Sequence, residues 1–180
     1  MGRSWRIRVR EIREIHRGKV FRLTQETVTL PNRLTIELDV IRHPGAAAIV
    51  PLLDDSTVIL IHQYRHAVGG AIWEIPAGTL SPGEEPLECA KRELREETGY
   101  DPGALRKLGE IVPVPAYSDE RIHLFVATGL QEAGQRLEED ELLEVQALPL
   151  AETLAMVDRG EIVDAKTIVG LFMARAFLSP

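Results

Sequence analysis

Hydrophobic positions in the first part of the chain fall in short runs separated by turn-forming residues. Val20–Leu30 and Leu34–Ile41 carry β-branched and aliphatic residues on either side of Pro31-Asn32-Arg33, which predicts two strands and a hairpin turn. Ala46–Leu53 and Thr57–Tyr64 repeat the pattern around Asp54-Asp55-Ser56. His43-Pro44-Gly45 separates the two pairs and divides an N-terminal β region, residues 1–44, from a main domain, residues 45–180. The period then lengthens to that of a helix over Pro86–Thr98. Proline suits the first helical position and Gly99 the C-terminal cap. Ser81-Pro82-Gly83-Glu84 resembles a capping box, but a helix started there would bury Pro86 in its second turn, which favours the later start. Lys107–Val114, Ile122–Ala127 and Leu143–Leu148 read as strands. Ala151–Val157 and Asp164–Phe177 read as helices, the second with Ile168, Leu171, Phe172 and Ala176 on one face. This order predicts an α/β (α+β) sandwich and not a doubly wound sheet.

On the helix over 86–98, Leu87, Ala90 and Leu94 form the stripe expected to face the core. Glu93 and Glu97 lie beside that stripe, with Glu96 beyond Glu93, so three carboxylates share one flank. Lys91, Arg95 and Glu88 point the other way. Two carboxylates about 5 Å apart repel by roughly 3 kcal/mol at an effective dielectric near 20. Such a flank must be protonated, solvated or neutralised by a cation. By spacing alone, a solvated acidic face is the commoner reading.

Charge along the chain bears on that choice. Residues 1–50 hold ten Lys/Arg and five Asp/Glu, a net of +5, whereas residues 51–180 hold eleven and 23, a net of −12. The acidic main domain argues against a nucleic-acid partner. It can still bind a phosphorylated substrate if divalent cations stand between the two negative partners. Oxygen-only ligands favour magnesium or manganese over zinc. Apolar runs such as Gly45–Leu53 and Val58–Ile61 are too short to span a bilayer, and the arginine-rich start lacks a secretory signal's apolar stretch. The single cysteine, Cys89, excludes an intrachain disulfide and fits a reducing cytoplasm.

The run Gly78, five residues, Glu84, seven residues, Arg92-Glu93-Leu94, one residue, Glu96-Glu97, one residue, Gly99 and Tyr100 resembles the full signature of the Nudix hydrolases. The resemblance implies an α/β/α sandwich with a mixed sheet. It also implies a loop–helix–loop that holds catalytic magnesium, or manganese, against a substrate pyrophosphate. Glu93 and Glu97 match the principal metal ligands, Glu96 a further ligand or holder of metal-bound water, and the Ala77 carbonyl another ligand. Gly78 would allow close backbone approach there. Glu84 and Arg92 match an ion pair that orients the loop on the helix, so their role, like that of Gly78, is structural. Cys89, where relatives usually carry alanine, reads as a small filler.

Three outer features resemble the ADP-ribose pyrophosphatase and nucleoside-diphosphate-sugar branch of that family. The first is His43-Pro44-Gly45 with Gln63-Tyr64-Arg65 and Trp73-Glu74-Ile75-Pro76-Ala77-Gly78. The second is Pro115, 15 residues beyond Tyr100. The third is Tyr117-Ser118-Asp119-Glu120 followed by Ile122-His123-Leu124. The implied reaction is hydrolysis of ADP-ribose to AMP and ribose 5-phosphate. GDP-mannose or a broad range of nucleoside diphosphate sugars is the alternative, and a non-catalytic nucleotide-sugar sensor is the alternative from another class. Arg65 is the candidate for a bidentate pyrophosphate contact, with a surface ion pair as its other reading, and Tyr117 and Ser118 are further substrate contacts. Glu141, in the acidic loop Glu138-Glu139-Asp140-Glu141, is the candidate general base, with Glu120 as the other base or metal partner. Trp5, Phe21 and Tyr117 are possible platforms for a purine. Relatives in this branch pair through N-terminal strands, which implies a homodimer whose basic first 22 residues serve the partner's site.

Overall fold

The computed structural model describes residues 6–137, 139 and 141–178. Its N-terminal part is an antiparallel sheet of β1 (Arg8–Arg17), β2 (Arg22–Thr29) and β3 (Thr35–Arg42) in the order β1-β2-β3. The predicted turn joins β2 to β3. Arg33 adopts a left-handed conformation there (φ 69°), and Asn32 Oδ1 accepts the Leu34 N–H at 3.1 Å.

β1 is an addition to the expected pair of strands, and its pattern explains why it is hidden. Its apolar residues Val9, Ile12 and Ile15 recur every third position, which is not a strand period. Register shifts between Val9 and Glu11 and between Glu14 and His16 reset the alternation. The first shift leaves Val9 opposite Val28 and Ile12 opposite Glu26, on the same face of β2.

The remaining strands build the main body. β4 (Ala46–Pro51) is buried along its whole length. It pairs antiparallel with β7 (Ala77–Thr79) and parallel with β10 (Ile122–Thr128), and β10 pairs antiparallel with β9 (Ala104–Ile111). A second sheet holds β5 (Thr57–Arg65) between β12 (Leu143–Pro149) and β6 (Gly70–Glu74). Two-residue strands β8 (Tyr100–Asp101) and β11 (Gln131–Glu132) complete the set among the described residues.

Alternation along β4 separates the two cores. Ala46, Ala48 and Val50 face a cluster with Leu124, Val126 and the helices α2 (Leu150–Asp158) and α3 (Ala165–Leu178). Ala47 and Ile49 face the other way, onto Cys89, Ala90 and Leu94 of α1 (Pro86–Thr98). The mixed sheet is thus covered on both faces, as an α/β/α sandwich requires. No helix among the described residues is long and apolar enough to cross a membrane.

α1 starts and stops where the sequence places it. Gly99 is left-handed (φ 78°) and donates its N–H to the Arg95 carbonyl. Ser81–Glu84 forms a separate turn before the helix, closed by Glu84 N–H on the Ser81 carbonyl at 2.9 Å.

Three expectations need correction. Leu87 is exposed, because the inward stripe of α1 turns through Cys89, Ala90, Glu93, Leu94 and Glu97 instead. β9 runs from 104 to 111 and not to 114, since Pro113 has no N–H to continue a ladder. Phe172 on α3 is exposed, while Thr167, Gly170, Leu171 and Ala174 face the core. The Gly170 backbone lies so close to the sheet that a Cβ would sit 2.9 Å from Ile75 Cδ1. The short strands β6 and β7 carry too few periodic positions to be predicted from alternation. The Ala176 side chain lies outside the described residues.

Candidate active site

Packing of α1 against β4 aims Glu93 and Glu97, one turn apart, at the neighbouring strand β7. Glu97 is 1% exposed, and its Oε2 accepts the Ala77 N–H at 2.9 Å. Glu93 packs on Gly78 so tightly that a Cβ there would lie 1.8 Å from Glu93 Oε1. Burial, followed by the charge of Glu93, pushes the Glu97 carboxyl up to about 8. Burial also raises Glu93, although the adjacent Arg92 opposes it. The sequence-based choice among protonation, solvation and a cation therefore narrows, since water does not reach Glu97.

Arg92 organises the rest of the flank. Its Nε and Nη2 fork onto Glu84 at 2.9 and 3.0 Å, and its Nη1 donates to Glu93 Oε1 at 2.6 Å and Glu96 Oε2 at 3.0 Å. Glu84 Oε2 also accepts the Ser81 N–H at 2.9 Å, which fastens the turn to the helix. The Arg92 hydrogen bonds hold the Glu84 carboxyl down at about 2. Cys89 is fully buried with Sγ 3.5 Å from the Gly78 carbonyl, and burial pushes its thiol up to about 12, so it stays protonated.

Among the described residues, no three carboxylate, imidazole or thiol side chains converge as a ready cation cage. The Arg92 guanidinium bridges Glu93 and Glu96 instead. The donor chemistry nevertheless fits a hard divalent cation. Two buried carboxylates, both disfavoured as anions, meet the Ala77–Gly78 backbone, and the neighbouring Cys89 thiol stays protonated, so the donors on offer are oxygens. The charge of Glu141 also reaches this centre and further disfavours ionisation of Glu93 and Glu97.

A cleft of about 320 Å³ runs beside β7, lined among others by Arg65, Pro113, Glu120, Asp164 and Lys166. Arg65 combines its two sequence readings. It faces the cleft and is also bound bidentately to Glu74, through Nε at 2.7 Å and Nη2 at 3.0 Å. Burial opposes ionisation of Glu74, but Arg65 and Lys166 outweigh it and bring its carboxyl below the ordinary value. Lys166 bonds to Glu74 and, at 3.0 Å, to Asp164 Oδ2. Asp164 caps α3 by accepting the Thr167 N–H at 3.0 Å and its hydroxyl at 2.6 Å. The Thr167 oxygen in turn accepts the Ile75 N–H at 2.8 Å.

Glu74, Asp164 and Lys166 carry no predicted role. A signal for Lys166 exists, since a cation in a helix's first turn opposes the helix dipole and needs a local reason.

The loop carrying Glu120 is stitched to the N-terminal sheet. The Ile41 N–H donates to the Tyr117 carbonyl at 2.7 Å, and the Asp119 N–H to the Ile41 carbonyl at 3.1 Å. Arg42 joins buried Glu26 to Asp119, with Nη2 at 2.6 Å from Glu26 Oε1 and Nη1 at 2.9 Å from Asp119 Oδ2. The Ser118 hydroxyl accepts the Glu120 N–H at 3.1 Å. Ser118 and Tyr117 thus shape the loop, and of the three predicted loop residues only Glu120 lines the cleft. Phe21 lines a separate groove of about 710 Å³ between the β1–β2 turn and residues 79–82, together with Arg17, Arg22 and Arg42. Trp5, Glu138 and Asp140 lie outside the described residues.

A mixed sheet between helices, with an acidic flank and an arginine clasp beside a glycine strand, defines a recognisable class. Residues 42–169 match the NUDIX domain model, and the chain belongs to that family. It is a Nudix pyrophosphohydrolase. The ADP-ribose pyrophosphatase of Bacillus subtilis (strain 168) is 40% identical over 156 residues, 86% of this chain and 84% of that protein. The methanol dehydrogenase activator of Bacillus methanolicus is 36% identical over 173 residues, 95% and 94% of the two chains. The GDP-mannose pyrophosphatase of Citrobacter koseri is 39% identical over 149 residues, 73% and 77%. A crystal structure of an ADP compounds hydrolase superposes with a TM-score of 0.85 at 25% identity, covering 98% of this chain and 97% of the other.

Proposed function

We propose that the chain hydrolyses the pyrophosphate bond of ADP-ribose, giving AMP and ribose 5-phosphate, with magnesium as its cation and manganese as a substitute. The observation that carries this reading is the pair of buried carboxylates, Glu93 and Glu97, meeting the backbone at Ala77–Gly78 beside a polar cleft. Similarity to an ADP-ribose pyrophosphatase over most of both chains supports the choice of substrate.

Glu93, Glu96, Glu97 and the Ala77 carbonyl would hold the cation. When bound, it neutralises pyrophosphate oxygens and lowers the pKa of a coordinated water. Arg65, already oriented by Glu74, supports the pyrophosphate. Glu141 accepts the proton of the attacking water, and the influence of its charge on Glu93 and Glu97 is the reason for preferring it to Glu120. Gly78, Glu84 and Arg92 position the carboxylates. The sensor alternative is weaker because all three glutamates of the flank are retained.

A homodimer formed through the N-terminal sheet fits the exposure of Val9, Ile12 and Leu38. A cytoplasmic location fits the unpaired cysteine.

A panel of ADP-ribose, GDP-mannose, UDP-glucose and NADH, assayed with magnesium and again with chelator, tests the proposal. AMP and ribose 5-phosphate released from ADP-ribose, and abolished by chelator, are the expected products. Preference for GDP-mannose would transfer the same chemistry to the other substrate, consistent with the 39% identical relative. No hydrolysis of any member by folded protein would overturn the enzymatic reading.

A further inference from the structure

The cleft beside β7 holds a polar array that α1 does not supply. Arg65 comes from β5, Glu120 from the loop after β9, and Asp164 and Lys166 from the start of α3. Glu74, 2% exposed, fixes both cations from below.

Counting donors shows what remains for a ligand. A lysine ammonium has three N–H groups, and Lys166 directs two of them at Glu74 and Asp164. An arginine has five, and Arg65 directs two at Glu74. Asp164 receives all three of its hydrogen bonds on Oδ2, which leaves Oδ1 as an acceptor.

Arg65 and Lys166 against Glu74, Asp164 and Glu120 leave the array with a net charge of −1. The spare N–H groups of Arg65 serve the pyrophosphate, but Lys166, already neutralised by Glu74 and Asp164, offers a further phosphate little. Adjacent hydroxyls, each both donor and acceptor, match its remaining N–H group and the free Asp164 oxygen. We propose that Asp164 and Lys166 form the subsite for the substrate's terminal sugar, and so set a preference for nucleoside diphosphates that carry a sugar over those that do not. This rests on the nucleoside-diphosphate-sugar reading above. Asp164 and Lys166 are specificity residues, and Glu74 is a positioning residue that acts through Arg65 and Lys166.

The test is equilibrium binding of ADP-ribose and of ADP by calorimetry, in chelator so that no turnover intervenes. It compares the wild type with Lys166→Met, Lys166→Arg and Asp164→Asn, whose folding is checked by thermal melting. Asparagine still caps α3, and arginine keeps the charge and donors at 166. The wild type is expected to prefer ADP-ribose. Lys166→Met and Asp164→Asn should each lose roughly tenfold of that preference, as for a hydrogen bond to a charged group, with ADP affinity unchanged and Lys166→Arg retaining it. A wild type without the preference, equal losses for both ligands, or no loss in either variant would overturn the proposal. Magnesium-dependent hydrolysis of ADP-ribose is measured on the same preparation. Its absence removes the enzymatic reading, while a sugar preference lost in the variants would still support the subsite.

Discussion

Gly78→Ala isolates one steric relation in the site. The glycine's φ is not in the left-handed region, so alanine meets no backbone strain, and its effect comes from what the Cβ touches. That carbon would sit 1.8 Å from Glu93 Oε1, 1.9 Å from its carboxyl carbon and 2.5 Å from Oε2, where real Cβ contacts are essentially never below 3.0 Å. The carboxylate must therefore retreat by at least 1.2 Å, the difference between the two distances. Misplacing a catalytic group by about 1 Å lowers turnover by roughly 100-fold, equivalent to about 2.7 kcal/mol of barrier.

The assay is kcat on ADP-ribose with saturating magnesium, alongside a melting curve to show that the fold persists. A double-mutant cycle sharpens it. In a Glu93→Ala background the space is empty, so Gly78→Ala should change the residual kcat by less than about threefold. Retention of more than a tenth of wild-type kcat by Gly78→Ala, or the same 100-fold loss in both backgrounds, would refute the steric account.

Three further outcomes follow from the same geometry. Glu97→Gln should abolish most turnover yet raise stability in chelator. The Glu97 carboxyl is raised to about 8 when folded, so the wild type loses stability as pH rises above the ordinary value of 4.5. The variant's advantage should therefore grow to on the order of 3 kcal/mol by pH 8 in denaturant titrations. Glu84→Gln has the opposite sign. The wild-type carboxyl is held at about 2, so its pairing with Arg92 stabilises above pH 4.5 and is lost as pH falls through 2. Allowing for solvent around Arg92, whose side chain is 33% exposed, the variant should be about 1 kcal/mol less stable at pH 7 and nearly equal near pH 2. Arg42→Met would strand buried Glu26 and cost about 3 kcal/mol by chemical denaturation. Adding Glu26→Leu should recover most of it, and no recovery would show that the pair is not the cause.

The sequence was most legible where local rules and burial agree. α1 is bounded by Pro86 and Gly99, whose conformational preferences act within a residue or two and need no tertiary help. Its acidic flank followed from helical geometry alone, but the extent of burial did not. Leu87 is more apolar than Glu97 and yet exposed, because the helix rotates to bring its carboxylates against β7. β1 was hidden because its bulges break alternation, and bulges depend on the partner strand. Lys166 meets Glu74 across 92 residues of sequence, a contact set by α3 crossing the sheet and by no periodicity within either segment. Arg65 could be read toward solvent or toward substrate from its type alone, and only its bond to Glu74 joins the two.

The bulged first strand also bears on how the folded chain behaves in a crowded solution. An open strand edge is a template on which another chain can add, and β1 offers ten residues of it. Two register breaks interrupt the regular spacing that an incoming strand would have to match, and the charged side chains of Arg8, Arg10, Glu11, Arg13, Glu14 and Arg17 line the same border. Growth of the sheet by one strand after another, the first step toward fibrils, is opposed at this edge by its broken register and by the cost of desolvating those charges.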